Sequence, residues 1–168
     1  QHALLYPELA VGCFIAVGSY PVTLASMIYG KQPSDIKSQV SIGTTGVDGS
    51  SAPVLQYDDY QTATIPTAVR MNTLHETRIM GTKGIISIPD WWHPTEMTVH
   101  VSGQPAETYT FELDGNGYNY EAAEVGRCIR AGLTESDVMP LDESLAIIGT
   151  LDKIRALWGL QYPADAGD

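Results

Sequence analysis

The sequence has few basic residues and few cysteines, and both shortages limit what the protein can be. Nine Lys and Arg stand against twenty Asp and Glu, which gives a formal net charge of −11 with His neutral. Most of such a surface repels phosphate backbones, so we expect no nucleic-acid partner. The two cysteines, Cys13 and Cys128, lie far apart in apolar surroundings. They are expected to be buried thiols and not a disulfide framework or a metal site.

The sequence also lacks a clean apolar run that would suit a membrane span. Its longest uncharged run, Leu9 to Gly30, contains Gly, Ser, Tyr, Thr and Pro, and it has no cationic flank of the signal-peptide kind. We therefore expect no membrane partner and a cytoplasmic location. The chain begins at Gln1 and not at Met, which leaves open whether it is a piece of a longer protein.

The same region, from Pro7 to Gly30, is the longest candidate for one buried helix. Its apolar residues recur at gaps of three and four, which is typical of a helix packed on most of its surface. Gly12, Gly18 and Pro21 interrupt this pattern, so the helix should be kinked or begin irregularly. Gly30 should end it.

From Pro33 to Leu113 the pattern changes to short alternating runs that are typical of strands. GTKG, between Glu76–Met80 and Gly84–Ile88, predicts a hairpin. Two helices, at Tyr120–Ala131 and Leu141–Leu160, then close the chain. The predicted fold class is α+β, with an open, mainly antiparallel sheet of about six strands and helices packed on one face. A single domain is expected at 168 residues, and the free sheet face is expected to be a dimer interface or to lie against a missing domain.

Three stretches resemble one family of enzymes. PELAVGCFIAVGSYPVTLA is similar to the segment that opens the C-terminal domain of the Gfo/Idh/MocA oxidoreductases, in their dihydrodiol dehydrogenase-like branch. GTKGIISIPDWWHPTEMTV resembles a hairpin and loop of that branch, and GYNYEAAEVGRCIRAGLTESDVMPLDESLAIIGTLDKIR resembles its closing helices. The resemblance implies that residues 1–168 form a C-terminal substrate-binding and dimerisation domain, with a homodimer through the sheet face.

The family's cofactor half has no counterpart in this sequence. The resemblance implies a Rossmann domain with a glycine-rich pyrophosphate turn and a Glu-Lys-Pro segment, and neither motif is present here. The family's glycine triplet near the cofactor has become Ala10, Val11 and Gly12, and its catalytic aspartate has become Ala16. We therefore expect no cofactor on this chain alone; a Rossmann half would have been separated from it by truncation or would be supplied by a separate chain.

Tyr20 is the candidate catalytic residue, because it matches the family's Tyr or His that donates or accepts a proton. Its alternative role is that of a hydrogen-bonding relic. Candidate substrate-binding residues fall in two groups: an apolar wall, which replaces a glycine-lined cleft, and a tryptophan-rich loop, for which simple packing is the alternative. These residues are Val11, Cys13, Phe14, Ala16, Trp91, Trp92 and His93. No set of His, Asp, Glu or Cys has metal-ligand spacing, so no metal is expected.

Three functions fit these observations. The first is a cofactor-free descendant of the dehydrogenase domain that binds a small, mostly apolar molecule and catalyses a cyclisation or isomerisation, by fixing a reactive conformer. The second is the substrate-binding and dimerisation half of an NAD(P)-dependent oxidoreductase acting on a diol or sugar. The third is a non-catalytic binding subunit. The loss of the aspartate at Ala16 favours the first interpretation over the second.

Overall fold

The chain is described by a computed structural model over residues 6–7, 12–58 and 60–166. It divides into two compact units. Unit 1 comprises Gln1–Thr73 and Met139–Asp168, and unit 2 comprises Leu74–Val138. The single domain expected from the sequence stays a prediction.

Unit 1 begins with the irregular helix that the sequence predicts. A π-helical turn, Phe14–Gly18, runs directly into helix α1, Ser19–Tyr29. Gly18 lies where they meet, and a Cβ there would meet the Phe14 ring. Gly30 ends α1 with φ 65°, a left-handed conformation that glycine adopts at little cost.

The sheet of unit 1 has four strands, all paired antiparallel. They are β1 (Asp35–Ile42), β2 (Asp48–Gln56), β3 (Thr62–Thr64) and β4 (Thr67–Ala68). Both short strands pair with β2, and Pro66 lies between them. Proline cannot donate a ladder hydrogen bond, so the pairing is interrupted there and β3 and β4 are separate strands.

Helix α3, Leu141–Leu157, packs with α1 over this sheet. The buried core that results is formed by Phe14, Val22, Ala25, Ile36, Leu55, Tyr57, Ile65, Ile147, Leu151 and Ile154. Of the apolar residues of α3 that are spaced by threes, Leu151 and Ile154 are buried, whereas Leu145, Ile148 and Leu157 are exposed. A spacing of three drifts around a helix of 3.6 residues per turn, whereas Ile147, Leu151 and Ile154 stay on one side.

Unit 2 contains the predicted hairpin within a second four-stranded antiparallel sheet. Its strands are β5 (Glu76–Gly81), β6 (Gly84–Pro89), β7 (Glu96–Val101) and β8 (Glu107–Thr110), followed by helix α2 (Tyr118–Ala131). Cys128 is the one buried residue in Leu74–Val138, all of which the structure describes. The predicted fold class is confirmed, and the described residues form eight strands in two sheets in place of about six in one.

Candidate functional site

Tyr20 is accessible at the start of helix α1. Its side chain is 62% exposed, in the first turn of the helix. Ala16, where the family pattern has an aspartate, lies about one turn earlier in the π-helical segment and is half-buried. Positions four apart share one side of a helix, so Ala16 leaves space beside Tyr20 without supplying a polar group. The phenol is the one proton-transfer group that this pair offers.

Cys13 and Phe14 lie in the core of unit 1, with 0% and 1% of their surface exposed. The Phe14 ring meets the Trp158 ring edge-on, with centroids 5.4 Å apart. Burial raises the pKa of the Cys13 thiol to about 11. Neither residue presents surface to a ligand in this structure. Val11 and Ala10 lie outside the described residues. The part of Val11, Cys13 and Phe14 in substrate binding stays a prediction.

Asp48 fixes the start of the helix that carries Tyr20. Its carboxylate Oδ2 accepts a hydrogen bond from the Phe14 backbone N–H at 2.6 Å, across 34 residues of sequence. The side chain is fully buried, and burial raises its pKa. Oδ1 has no hydrogen-bond partner among the described residues. An acidic group facing backbone N–H groups at a helix start stabilises that start, so Asp48 positions the helix.

Gly12 allows this arrangement. A Cβ on Gly12 would collide with the Asp48 carboxylate and would lie 2.8 Å from the Tyr162 hydroxyl. Burial also raises the pKa of Tyr162, to about 12. Sequence reasoning missed both Asp48 and Tyr162, because each is brought to Gly12 only by the fold: a β-bulge in β2 at Asp48, and the segment after α3 at Tyr162.

The tryptophan-rich loop forms an aromatic cluster in unit 2. The Trp92 ring contacts the His93 ring edge-on at 4.9 Å and the Trp91 ring at 6.2 Å. On another side it meets the His75 ring at 4.4 Å. Trp92 remains 45% exposed, so its ring is packed by neighbours and still open to a ligand.

His75 is the member of this cluster that sequence reasoning missed. It precedes β5, while the tryptophans follow β6, and Glu76 pairs with Pro89 in the hairpin register. The outer ends of the two strands therefore meet. The length of the hairpin predicts that these ends lie side by side once GTKG is taken as its turn.

Two kinds of site are absent from the part of the chain that the structure describes. It holds no group of three or more His, Cys, Asp or Glu that could bind a metal ion. Every strand pair in these residues is antiparallel, so they form no βαβ unit with a phosphate-binding turn. A nicotinamide cofactor therefore does not fit a Rossmann-type site on the described residues.

Within the same ranges, no helix has the length and apolar character that a bilayer crossing requires.

The chain belongs to the GFO/IDH/MocA C-terminal domain family, whose model matches residues 2–87. Among curated proteins it is similar to trans-1,2-dihydrobenzene-1,2-diol dehydrogenase. The identity is 32% for the Xenopus tropicalis protein and 33% for the Mus musculus protein, each over 93% of this chain and 49% of the relative. The chain thus spans about half the length of the curated relatives that it matches. The resemblance inferred from the sequence is confirmed.

Solved structures show the same fold. An aldose-aldose oxidoreductase from Caulobacter crescentus matches 89% of this chain and 45% of its own, with a TM-score of 0.72 and 19% identity. A variant of a 3-ketoreductase from Actinomadura kijaniata matches 86% of this chain and 45% of its own, with a TM-score of 0.72 and 14% identity. The prediction of a cofactor-free cyclase or isomerase is wrong, because the curated relatives are named dehydrogenases.

Proposed function

We propose that this chain is the substrate-binding and dimerisation half of an NAD(P)-dependent oxidoreductase acting on a diol or sugar. The observation that carries the proposal is the match to dihydrodiol dehydrogenases over 93% of the chain and 49% of the relative. The described residues do not form a dinucleotide site, so the cofactor would be bound elsewhere in the enzyme or by a separate Rossmann-containing chain. A vicinal diol on an unsaturated, non-aromatic ring is the favoured substrate class, because it is the one in the relatives' name.

Tyr20 is the residue proposed to move the proton. Its phenol is accessible, and its helix is held by the Asp48 carboxylate on the Phe14 N–H. Oxidation of an alcohol needs a group that accepts the hydroxyl proton, and the exposed tyrosine can accept it once its phenol has passed its own proton to solvent. Ala16, which is half-buried, would then contact the carbon skeleton, whereas Cys13 and Phe14 are buried and would not.

Within unit 2, the exposed ring of Trp92, with Trp91 and His93, is proposed as a binding surface for an unsaturated ring. Aromatic side chains offer a large flat apolar surface that suits an unsaturated ring. The edge contacts from His75 and His93 restrain the Trp92 ring and reduce the entropy that binding would cost.

We also propose a homodimer through the apolar face of the β5–β8 sheet. Ile86 pairs with Ile79 on one side and Val99 on the other, and Met97 pairs with Tyr109, so these side chains share one face. None of them is buried. A second copy of this chain would cover such a face, as in a sheet-on-sheet interface. Light scattering measures the mass of the assembly. Ile86→Ser should shift that mass toward the monomer, whereas Ile85→Ser, on the opposite face, should leave the mass of the dimer unchanged.

The cytoplasmic location stays part of the proposal. Both cysteines are free and buried in the structure, which is typical of proteins of reducing compartments. The net charge of −11 supports a small-molecule partner over nucleic acid.

The test is an activity assay on the native protein, expressed in its source organism so that it keeps any partner. We expect NADP⁺-dependent or NAD⁺-dependent oxidation of trans-1,2-dihydrobenzene-1,2-diol, followed by the absorbance of reduced nicotinamide. Tyr20→Phe should lower kcat roughly 10²- to 10⁴-fold with little change in KM, as loss of a general acid or base does.

The matched control is Tyr60→Phe, which removes a hydroxyl from a tyrosine of the same unit that is 99% exposed. It should leave kcat unchanged. Normal turnover by Tyr20→Phe would remove Tyr20 from the chemistry. Absence of nicotinamide-dependent turnover of diols and of aldoses would favour the non-catalytic binding subunit. Ala16 supports that alternative, because the family pattern has a catalytic aspartate at this position.

A further inference from the structure

A groove opens on the face of the unit 1 sheet that points away from its core. Ser41, Ser50 and Ala68 lie opposite one another on β1, β2 and β4, and together they form a floor of small side chains. The groove has a volume of about 210 Å³ and is open to solvent. The neighbouring pair on the other face, Ser51 and Thr67, is buried and joined by a hydroxyl hydrogen bond of 2.8 Å. The two faces of the same strands therefore differ in what their hydroxyls can bind.

A β-bulge shapes one end of this groove. The register between β1 and β2 shifts after Ser41, so that Ile42 pairs with Asp48 and Gly49 is the extra residue. The bulge turns Asp48 into the core and leaves Gly49 in the groove wall. The Gly49 carbonyl accepts a hydrogen bond from the Val69 N–H at 3.2 Å, which fixes the backbone directly before Arg70.

Arg70 lies at the rim of the groove and is exposed. Arg78, Arg127 and Arg155 all pair with carboxylates, whereas no described carboxylate pairs with Arg70. The nearest acid in the bulge, Asp48, is directed to the Phe14 N–H. Arg130 likewise has no carboxylate partner among the described residues, so what distinguishes Arg70 is its place on the groove.

Three hydroxyls face the same space as Arg70. Ser41, Thr45 and Ser50 line the groove. None of their side-chain hydroxyls makes a hydrogen bond to another described residue, unlike the hydroxyl of Ser51 on the other face. Arginine presents a planar fork of N–H donors that matches the oxygens of a carboxylate or phosphate, and hydroxyls add single donors. Ile42 and Met71 supply apolar wall on either side.

We propose that this groove binds an oxyanion, a carboxylate or a phosphate monoester, carried on a small molecule, with Arg70 as the charged contact and Ser41, Thr45 and Ser50 as hydroxyl donors. The volume of about 210 Å³ suits the anionic group and a few adjoining carbons. The site is independent of the proposed oxidoreductase activity, because neither Tyr20 nor the aromatic cluster lines it.

The test is a titration of the 168-residue chain, labelled with ¹⁵N, by NMR at constant ionic strength. The probes are inorganic phosphate and benzoate, with chloride as the reference anion. We expect saturable shifts confined to residues 41–50 and 68–71 with phosphate, with benzoate or with both, and the responding probe identifies the anionic group. Arg70→Gln should weaken binding at least about tenfold, as loss of a charge-assisted hydrogen bond does.

The matched control is Arg130→Gln, which removes an exposed arginine outside the groove that also has no carboxylate partner among the described residues. It should leave the affinity unchanged. Ser50→Ala should weaken binding by less than Arg70→Gln does. Shifts spread over the chain, equal weakening by Arg130→Gln, or no saturable shift with either probe would overturn the proposal.

Discussion

The two units of this chain protect their apolar side chains from water very differently. In unit 1, helices α1 and α3 cover one sheet face, and ten residues form a continuous buried core. In unit 2, four strands with a similar alternation carry no buried residue, and Cys128 on α2 is the only buried side chain. The alternating pattern is enough to form either sheet. What separates the units is whether helices supply a second layer.

The largest expected effect comes from one truncation made in both units. Ile154 is fully buried in unit 1, whereas Ile85 in unit 2 is 39% exposed. Ile154→Ala should lower the free energy of unfolding by about 2–5 kcal/mol, because it leaves a cavity. Ile85→Ala should lower it by about 0.5 kcal/mol or less. Urea denaturation at low protein concentration measures both, and equal losses would show that the two units are alike in solution.

A pair of glycines sharpens the comparison. In unit 2, a Cβ on Gly84 would collide with the His100 carbonyl and lie 3.0 Å from the Val101 Cα, so Gly84→Ala must disturb the β6–β7 pairing. We expect a loss of about 1–3 kcal/mol. Gly149, within α3 of unit 1, has no atom within 4 Å of its added Cβ, and Gly149→Ala should stabilise the helix by about 1 kcal/mol. Thermal unfolding followed by circular dichroism would reveal opposite signs; a shared sign would refute the prediction.

The two cysteines report how readily each unit opens. Burial raises the pKa of both thiols, so neither should react with a thiol reagent while its surroundings stay folded. Cys128 should react at least about tenfold faster than Cys13, because local opening of unit 2 costs less free energy than opening the unit 1 core. Mass spectrometry after timed alkylation gives both rates. Faster modification of Cys13 would reverse the assignment of the more stable unit.

The smallest effects concern pH, and they have opposite signs in the two units. Hydrogen bonds from Arg127 and Ser136 lower the pKa of Glu124 in unit 2 from 4.5 to about 2, so its stabilisation is present above 4.5 and is lost as the pH falls toward about 2. Burial raises the pKa of Asp48 in unit 1, so its contribution is largest when it is protonated and declines as the pH rises. Glu124→Gln should flatten the acid side of a stability profile measured by urea denaturation, and Asp48→Asn should flatten the side above 3.8. An unchanged profile in either variant would contradict that assignment.

Much of the fold could be predicted because it follows local patterns. The GTKG hairpin has the predicted position, and Gly30 ends α1 as expected. The division into two sheets could not be predicted, because all the strands alternate alike and only the fold shows that β4 and β5 do not pair. The buried side of α3 could not be predicted either, because only packing decides which apolar residues turn inward.

The candidate site was predictable only in part. Tyr20 follows from the resemblance and lies accessible on α1. The burial of Phe14 could not be foreseen, because it depends on Trp158, which is 144 residues later in the chain and meets its ring at 5.4 Å. Asp48 gave no local indication of its contact with the Phe14 N–H, because a turn aspartate is usually exposed.

Native mass spectrometry of the protein isolated from its source tests the central claim most directly. The proposal predicts an assembly with two copies of this chain and a bound nicotinamide cofactor, held by a Rossmann-containing portion that stays attached under mild dissociation. An assembly of this chain that carries neither a Rossmann-containing portion nor a nicotinamide cofactor would contradict its role as half of an oxidoreductase.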